Sequence, residues 1–196
     1  MNLFKKLFKS SKDTENEHIK EQPVSLALDD SFVHHFINHG GKFLYCLSKE
    51  DISQNIEKIL EENDWKEIIQ KRKELKKYTK SLDLTLNTDL SAELPLFTTC
   101  EFLIAENGSI LFSSNQIEDK RLSTLTNDFI VFATTSQIVK SKDESLTGIK
   151  LKYKNNLPTN ISPIKNYGLI DEAEDNFLNY GTNNSKNLYL LLLEDL

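Results

Sequence analysis

The sequence is poor in the residues that build covalent or metal-linked scaffolds, with two cysteines and one methionine among 196 residues. Only Cys46 and Cys100 are present, without a CxxC pair, and this count excludes a disulfide framework and an iron–sulfur cluster held by this chain's cysteines alone. Both lie in apolar, strand-like segments, so we expect buried, reduced thiols. The sequence therefore predicts a protein with no cofactor or redox centre of its own.

An excess of positive charge and a long apolar run are also absent. The 24 basic and 30 acidic residues give a formal net charge of −6, whereas a non-specific nucleic-acid binder needs a basic surface to neutralise phosphates. No stretch is long enough to span a bilayer and there is no signal-peptide core, so a cytoplasmic location is expected. The length and a hydrophobic fraction of 38% are typical of one globular domain.

The chain is predicted to divide into an arm, residues 1–23, and a single domain, residues 24–196. The arm is mostly polar, but its first nine residues combine an apolar helical face with positive charge. The apolar face consists of Leu3, Phe4, Leu7 and Phe8, and the charges are Lys5, Lys6 and Lys9. Such a segment can bind weakly to an anionic membrane surface or dock in a partner groove. The alternative is a frayed terminus without a role, because two helical turns are not stable alone.

The domain opens with the pattern of an α/β unit. A helix is predicted over residues 29–39, ended by Gly40-Gly41, and a strand over residues 42–48. Ser48 and Asp51 then match a capping box that starts a second helix with one apolar face. Strand followed by helix is the repeating unit of an α/β fold.

Histidine and lysine clusters suggest two binding alternatives. His35 and His39 have the i, i+4 spacing that can hold a metal, but no further histidine or cysteine supplies an obvious third ligand, so no metal site is predicted. Residues 65–82 predict a helix or helix pair rich in lysine and arginine, whose charged face is ordinarily solvated. The alternative is phosphate binding by four of its cations, which are Lys71, Arg72, Lys76 and Lys77.

The centre of the chain predicts a hairpin followed by a buried strand. Residues 101–105 and 109–113 are strand-like, and Asn107-Gly108 between them favours a two-residue turn with positive φ at both positions. In the first half of residues 129–139, both the odd-numbered and the even-numbered positions are apolar, as in a strand covered on both faces. A helix is predicted over residues 142–151, and NLYLLLLEDL reads as a final buried strand. No GxSxG, P-loop or HExxH signature is present.

These pieces, in their order and spacing, resemble the LUD domain, the family of the lactate utilization protein LutC. The family has an Ala-Glu/Asp-Thr-Gly-Thr element before an Arg and a strand that ends in Gln-Ile-Val. In this chain the elements are Ala105-Glu106-Asn107-Gly108-Ser109, Arg121 and Gln137-Ile138-Val139. Thr98 and Glu101 fall where the family has a Thr and an acidic residue. The resemblance covers roughly residues 30 to 196.

The chain departs from the family's pattern at several positions. Asn107 replaces a Thr, Leu96 stands where a Gly is frequent, and Phe129 stands where a His is common. The family's late Gly-Pro-Ser-x-Thr-x-Asp-Ile-Glu element is not found between Ile161 and Gly181. The resemblance is therefore to a divergent member.

The resemblance implies a fold like that of the NagB/RpiA/CoA-transferase group, an α/β sheet with flanking helices, here with an Asn-Gly β-hairpin. It also implies an accessory or ligand-binding subunit in the oxidation of L-lactate or a related organic acid. The implied partners are the iron–sulfur subunits of a lactate-oxidising complex. The implied ligand is a small organic acid or a phosphorylated compound, although fold alone confers none of these activities.

Two alternative functions remain open. In a stand-alone enzyme for a small phosphorylated or acyl substrate, Glu106 would be the catalytic nucleophile or base, and Arg121 would orient a carboxylate or phosphate. Thr98, Glu101 and Ser109 would then complete the ligand-binding cluster. Equally, Glu106 can be a solvated turn residue and Arg121 a surface ion-pair residue. In the other alternative, a degenerate LUD domain docks on a membrane or partner through its N-terminal arm.

Overall fold

The structure is a computed structural model that describes residues 27–168 and 185–195. The predicted arm, residues 1–23, lies outside these ranges, and so does most of the region searched for the late family element. The division of the chain near residue 23 therefore stays a prediction. Within the described ranges, no helix is long and apolar enough to cross a membrane.

Helices and strands alternate through the first part of the described chain, whereas strands dominate its centre. The α-helices are α1 (Leu28–Asn38), α2 (Lys49–Glu62), α3 (Lys76–Thr79), α4 (Ser114–Ile117) and α5 (Lys142–Tyr153). The first strands are β1 (Lys42–Cys46), β2 (Glu67–Ile69), β3 (Thr85–Asn87), β4 (Leu96–Thr99) and β5 (Phe102–Ile104). They are followed by β6 (Ser109–Phe112), β7 (Asp128–Thr134), β8 (Ile138–Val139), β9 (Ser162–Ile164) and β10 (Asn187–Leu193). Short 3-10 helices lie at Lys73–Leu75, Leu122–Thr124 and Thr135–Gln137.

Within the described residues, the main sheet has six strands in the order β1, β10, β7, β4, β2, β3, and all neighbours are parallel. The helix α2 carries the chain from β1, at one edge, to β2 on the far side of the sheet. Parallel neighbours need crossover connections, which cover the faces of such a sheet. The predicted α/β sheet with flanking helices is confirmed.

The last strand, β10, shows how the main sheet is buried on both faces. Leu188, Leu190 and Leu192 pack with α1 and the hairpin, whereas Tyr189 and Leu191 pack with α2 and α3. Successive side chains of a strand point to opposite faces, so an unbroken apolar run suits a strand with two covered faces. The predicted final buried strand is confirmed.

The second sheet contains β8, β5, β6 and β9 in that order, with β5 and β6 as the predicted antiparallel hairpin. One face of this second sheet, together with α1, packs against the main sheet. Its other face packs against α5 through a cluster of Ile104, Leu111, Val139 and Ile149. The layers are therefore α2 with α3, the main sheet, α1 with the second sheet, and α5.

The hairpin connection differs from the predicted two-residue turn. Ile104 pairs with Ser109, so residues 105–108 connect the strands, and within them only Gly108 has a positive φ, of +66°. The Asn107 side chain instead forms a local turn, because its Oδ1 accepts hydrogen bonds from the Ser109 amide at 3.0 Å and hydroxyl at 2.7 Å. A Cβ on Gly108 would lie 2.5 Å from the backbone nitrogen of Phe36 in α1. Close packing against α1 therefore requires the glycine.

The helix or helix pair predicted over residues 65–82 is wrong at its start. Glu67–Ile69 forms β2, and only short helices follow it. Ile68 and Ile69 are both fully buried, on opposite faces of the main sheet. This burial outweighs the local helix preference of the neighbouring glutamate and lysine residues.

The strand predicted over residues 129–139 is divided into two. The first part, β7, ends at Thr134, and β8 then pairs with β5 in the second sheet. The Nε2 of Gln137 donates hydrogen bonds to the carbonyls of Cys100 at 2.9 Å and Glu101 at 3.1 Å. These bonds join the turn after β7 to the chain after β4. The chain leaves the main sheet at this turn and enters the second sheet as β8.

Other predicted elements are confirmed. The helix α1 ends before Gly40-Gly41. In the capping box of α2, the Ser48 hydroxyl accepts a hydrogen bond from the Asp51 amide at 3.1 Å, and the Asp51 carboxylate accepts one from the Ser48 amide at 2.9 Å. Cys46 and Cys100 are buried, free thiols.

Candidate functional site

The carboxyl ends of β1, β10 and β7 meet at one edge of the main sheet, where a cavity of about 490 Å³ opens. The connection after β1 passes over one face to α2, and the connection after β7 passes over the other face to the second sheet. Open α/β sheets bind ligands where connections diverge in this way. We name this candidate site the carboxyl-edge cavity. It is lined by Leu28, Asp29, Tyr45, Thr135, Ser136, Ile138 and Glu194.

Asp195 orders one wall of the carboxyl-edge cavity. Its Oδ1 accepts hydrogen bonds from the Thr135 hydroxyl and the Ser136 amide, each at 2.9 Å, and its Oδ2 accepts one from the Ser136 hydroxyl at 2.7 Å. Burial alone would raise the pKa of Asp195, but the bonds from Ser136 and Thr135 outweigh it and hold the pKa below its ordinary value. Because both hydroxyl protons point to Asp195, the two hydroxyl oxygens can only accept further hydrogen bonds.

The carboxyl-edge cavity is acidic. Asp29, in the first turn of α1, and Glu194, after β10, both line it, whereas no lysine or arginine of residues 27–168 and 185–195 does. Desolvation, followed by the nearby Glu194 and Asp29 carboxylates, raises the pKa of the Tyr45 phenol. Such a site attracts cations and repels the anions of organic acids.

Glu101, predicted as a ligand-binding residue, is enclosed by protein and is 1% exposed. Its carboxylate accepts hydrogen bonds from five side chains: Ser113 at 2.7 Å, Asn115 at 2.8 Å, Tyr153 at 2.9 Å, Gln116 at 3.1 Å and Lys152 at 3.3 Å. Burial alone would raise the pKa of Glu101, but the bonds led by Ser113 and Asn115 outweigh it and lower the pKa. The ionised carboxylate therefore joins the end of β4 to α4 and α5.

Thr98 and Ser109, the other buried members of the predicted cluster, lie in β4 and β6. The Thr98 hydroxyl has no hydrogen-bond partner in the part of the chain that the structure describes. The Ser109 hydroxyl donates to Asn107 within the hairpin connection. Neither residue lines the carboxyl-edge cavity. The structure thus places Thr98 and Ser109 in the interior, as it does Glu101.

Glu106 and Arg121 are exposed. The Glu106 carboxylate accepts a hydrogen bond from the amide of Lys142 at 3.1 Å, at the first turn of α5, where the helix dipole favours a negative charge. Arg121 follows α4, and its neighbour Lys120 donates a hydrogen bond to Ser91 at 2.9 Å. Among the described residues, no hydrogen bond or ion pair joins Glu106 to Arg121. The structure thus shows no direct polar interaction between the two predicted enzyme residues in the part of the chain that it describes.

The geometry offers the metal-binding alternative no ligand cluster among the described residues, and it pairs two of the four candidate phosphate-binding cations with acidic side chains. Over the described ranges, no three His, Cys, Asp or Glu side chains are close enough to hold a metal ion. The Nδ1 of His35 lies 3.0 Å from a carbonyl of the hairpin connection. Lys71 forms an ion pair with Glu118, and Arg72 forms one with Glu74.

Sequence reasoning did not identify the residues of the carboxyl-edge cavity. A signal was present, because Tyr45, Thr135 and Glu194 each lie at or just beyond the end of a strand. The carboxyl ends of parallel strands share one edge of a sheet. However, the sequence does not reveal that β10 lies between β1 and β7, and this order brings the three residues together.

Comparison with known families and structures gives the geometry a context. The family model for the LUD domain matches residues 30–193. This chain belongs to the LUD domain family. Among solved structures, a DUF162 family protein from Deinococcus radiodurans is similar, with a TM-score of 0.59 and 14% identity. The match covers 87% of this chain and 100% of that chain, and at this identity it shows the fold alone.

No curated protein matches this chain. The LUD domain resemblance drawn from the hairpin, Arg121 and Gln137-Ile138-Val139 is nevertheless confirmed by the family match. Two of the residues that carried the resemblance have clear structural roles in this LUD domain. Glu101 joins β4 to α4 and α5, and Gln137 joins the turn after β7 to the end of β4.

Proposed function

We propose that this LUD domain is an accessory subunit, without a redox centre of its own, in the oxidation of L-lactate or a related organic acid. The observation that carries the proposal is the LUD family match over residues 30–193. The thiols support it, because Cys46 and Cys100 are too few to hold an iron–sulfur cluster and are both buried. Electron transfer then belongs to iron–sulfur partner subunits.

The charge of the carboxyl-edge cavity favours contact with a protein over storage of the organic acid itself. Lactate carries a carboxylate, and the cavity already contains the carboxylates of Asp29 and Glu194 without a lining lysine or arginine among the described residues. Like charges a few ångströms apart repel strongly at a partly desolvated site. A protein segment can instead present a lysine or arginine side chain there. The proposed role is therefore that of an accessory subunit that does not bind the organic acid at this cavity.

A stand-alone enzyme acting through Glu106 and Arg121 has less support. Glu106 is exposed and accepts the Lys142 amide at the start of α5. Arg121 makes no ion pair with Glu106 in the described part of the chain.

The test is capture of the protein from its native cells grown on L-lactate. Leu28 and Glu194 both lie at the carboxyl-edge cavity, so a tag on either terminus can obstruct that edge. A small epitope between Asn155 and Asn156, which are exposed after α5, leaves the cavity open. In the matched control, the lysate of the epitope-bearing cells is mixed with an isotope-labelled lysate of cells with the untagged protein. Proteins that bind only after lysis then carry both isotopes and are recognised.

Two results together would support the accessory role. Iron–sulfur subunits would co-purify without the isotope label, and the captured material would reduce a dye in the presence of lactate. A strain that lacks this chain should then grow poorly on L-lactate and recover with the epitope-bearing protein. Recovery of the chain alone, from cells in which other complexes survive the same buffer, would contradict the proposal.

A further inference from the structure

We infer that the first nine residues of the chain dock in the carboxyl-edge cavity of the same molecule. The inference goes beyond the proposed function and does not rest on it. Leu28 and Asp29, which line the cavity, are among the first described residues, so the preceding chain enters beside the cavity. The cavity is an open groove of about 490 Å³, so it can hold side chains of this segment while the segment's backbone stays outside.

Two apolar side chains that line the cavity, and a third just beyond β1, are exposed. Leu28 and Tyr45 are 41% and 48% exposed, and Leu47, directly beyond β1, is 69% exposed. Large apolar side chains grouped at one edge mark an interaction surface more often than isolated ones do. The arm contains a matching set, which is Leu3, Phe4, Leu7 and Phe8.

The charges of the cavity and of the arm are complementary. The cavity presents the Asp29 and Glu194 carboxylates and the acceptor oxygens of Thr135 and Ser136, whose protons are held by Asp195. The arm brings the ammonium groups of Lys5, Lys6 and Lys9, and no acidic residue occurs in its first nine positions. An ammonium group is a donor only, so it satisfies these acceptors without leaving a buried group unpaired.

The length of the intervening chain permits this docking. Residues 10–27 separate Lys9 from the cavity wall at Leu28, and an extended chain spans at most roughly 3.3–3.6 Å per residue. The arm therefore reaches every part of a cavity that begins where the tether ends. A tether of this kind raises the effective concentration of a weak binding segment to the order of millimolar, far above that of a free second copy in dilute solution.

The experiment is zero-length carbodiimide cross-linking of the full chain, followed by mass spectrometry of the digested protein. An equal mixture of ¹⁴N- and ¹⁵N-labelled chains at low concentration separates bonds within one molecule from bonds between molecules. The expected result is amide cross-links from Lys5, Lys6 or Lys9 to Asp29 or Glu194, all within single isotopes. Glu93, exposed just before β4 at the opposite edge of the main sheet, is the carboxylate control and should not react with these lysines.

A second variant separates docking from mere proximity of the lysines. The full-length F4S/F8S protein keeps every lysine and the tether but loses the two largest apolar side chains of the arm. Its cross-link yield should fall about tenfold or more, because burial of these rings supplies much of the attraction. An unchanged yield would overturn the inference.

Three further results would also overturn it. Cross-links that join ¹⁴N to ¹⁵N chains would mean that the arm docks on a second copy. Absence of cross-links to Asp29 and Glu194, with the full chain binding vesicles of phosphatidylserine and phosphatidylcholine, would assign the arm to membranes. Absence of both cross-links and vesicle binding would leave the arm without a docking role on this cavity.

Discussion

The Glu101 carboxylate accepts a hydrogen bond of 2.7 Å from the Ser113 hydroxyl, and this pair joins the end of the main sheet to the start of α4. Ser113 also caps α4, because its hydroxyl accepts the amide of Asn115 at 3.2 Å. The family's acidic residue at this position therefore serves the fold in this protein. It holds the layers that surround the hairpin, and its removal is a test of that role.

Glu101→Gln should lower the free energy of unfolding by about 2–4 kcal/mol. The amide keeps the shape but brings a donor toward the donors of Asn115 and Gln116, and it leaves Lys152 without its ion pair. The measurement is urea unfolding followed by circular dichroism. Glu74→Gln, which breaks an exposed ion pair with Arg72, is the matched control and should change stability by less than about 1 kcal/mol. Equal losses in the two variants would contradict the structural role of Glu101.

The same residue predicts a dependence of stability on pH. The pKa of Glu101 is lower in the folded protein than its ordinary value of 4.5, so the folded state binds this proton less readily than the unfolded state does. The stabilisation is therefore complete above pH 4.5 and is lost as the pH falls through the folded pKa. The stability difference between the wild type and E101Q, measured by urea unfolding, should shrink from about pH 7 to about pH 4 and below. A difference that grows with acidification would have the wrong sign.

Gly108→Ala should destabilise the protein by about 3 kcal/mol or more. Its φ of +66° is unfavourable for alanine, and a Cβ would lie 2.5 Å from the Phe36 backbone nitrogen, which cannot move without shifting α1. Gly168→Ala is the matched control, because no atom of the described residues, apart from its chain neighbours, lies within 4 Å of its added Cβ. The control should stay within about 0.5 kcal/mol of the wild type. Thermal or urea unfolding measures both, and a neutral Gly108→Ala would refute the close packing of the hairpin on α1.

The two thiols should be inert in the native protein. Burial raises the pKa of Cys46 and raises that of Cys100 far above its ordinary value, and the thiolate is the reactive form. Neither thiol should react with Ellman's reagent before unfolding, and both should react in concentrated urea. Rapid reaction of either one in the folded chain would show that its strand opens to solvent.

Glu106→Gln distinguishes the accessory role from the enzyme alternative. Glutamine retains an acceptor for the Lys142 amide at the start of α5, so the free energy of unfolding should fall by no more than about 1 kcal/mol. As an accessory subunit, the variant should support lactate-dependent growth as the wild type does. Loss of activity in a folded E106Q protein would instead favour Glu106 as a catalytic residue.

The sequence was sufficient wherever the deciding interactions are local. The capping box of Ser48 and Asp51 and the unbroken apolar run of β10 involve neighbours within a few residues, and both appear in the structure as predicted. Two predictions were wrong because distant elements decide the conformation. They are the two-residue turn at Asn107-Gly108 and the helix at Glu67–Ile69. Gly108 lies against α1, and Ile68 and Ile69 enter opposite faces of the main sheet.

By itself, the sequence determined the LUD family, the α/β class, most helices and strands, and the exclusion of a self-contained iron–sulfur cluster. Only the tertiary structure decided the strand order and hence the carboxyl-edge cavity, where Tyr45, Thr135 and Glu194 meet. It also decided that Glu101 is an internal anchor and that, in the described part of the chain, Glu106 forms no hydrogen bond or ion pair with Arg121. The physical reason is that hydrophobic periodicity and helix capping depend on residues close together in the sequence. Strand pairing instead joins residues as distant as Lys42 and Tyr189.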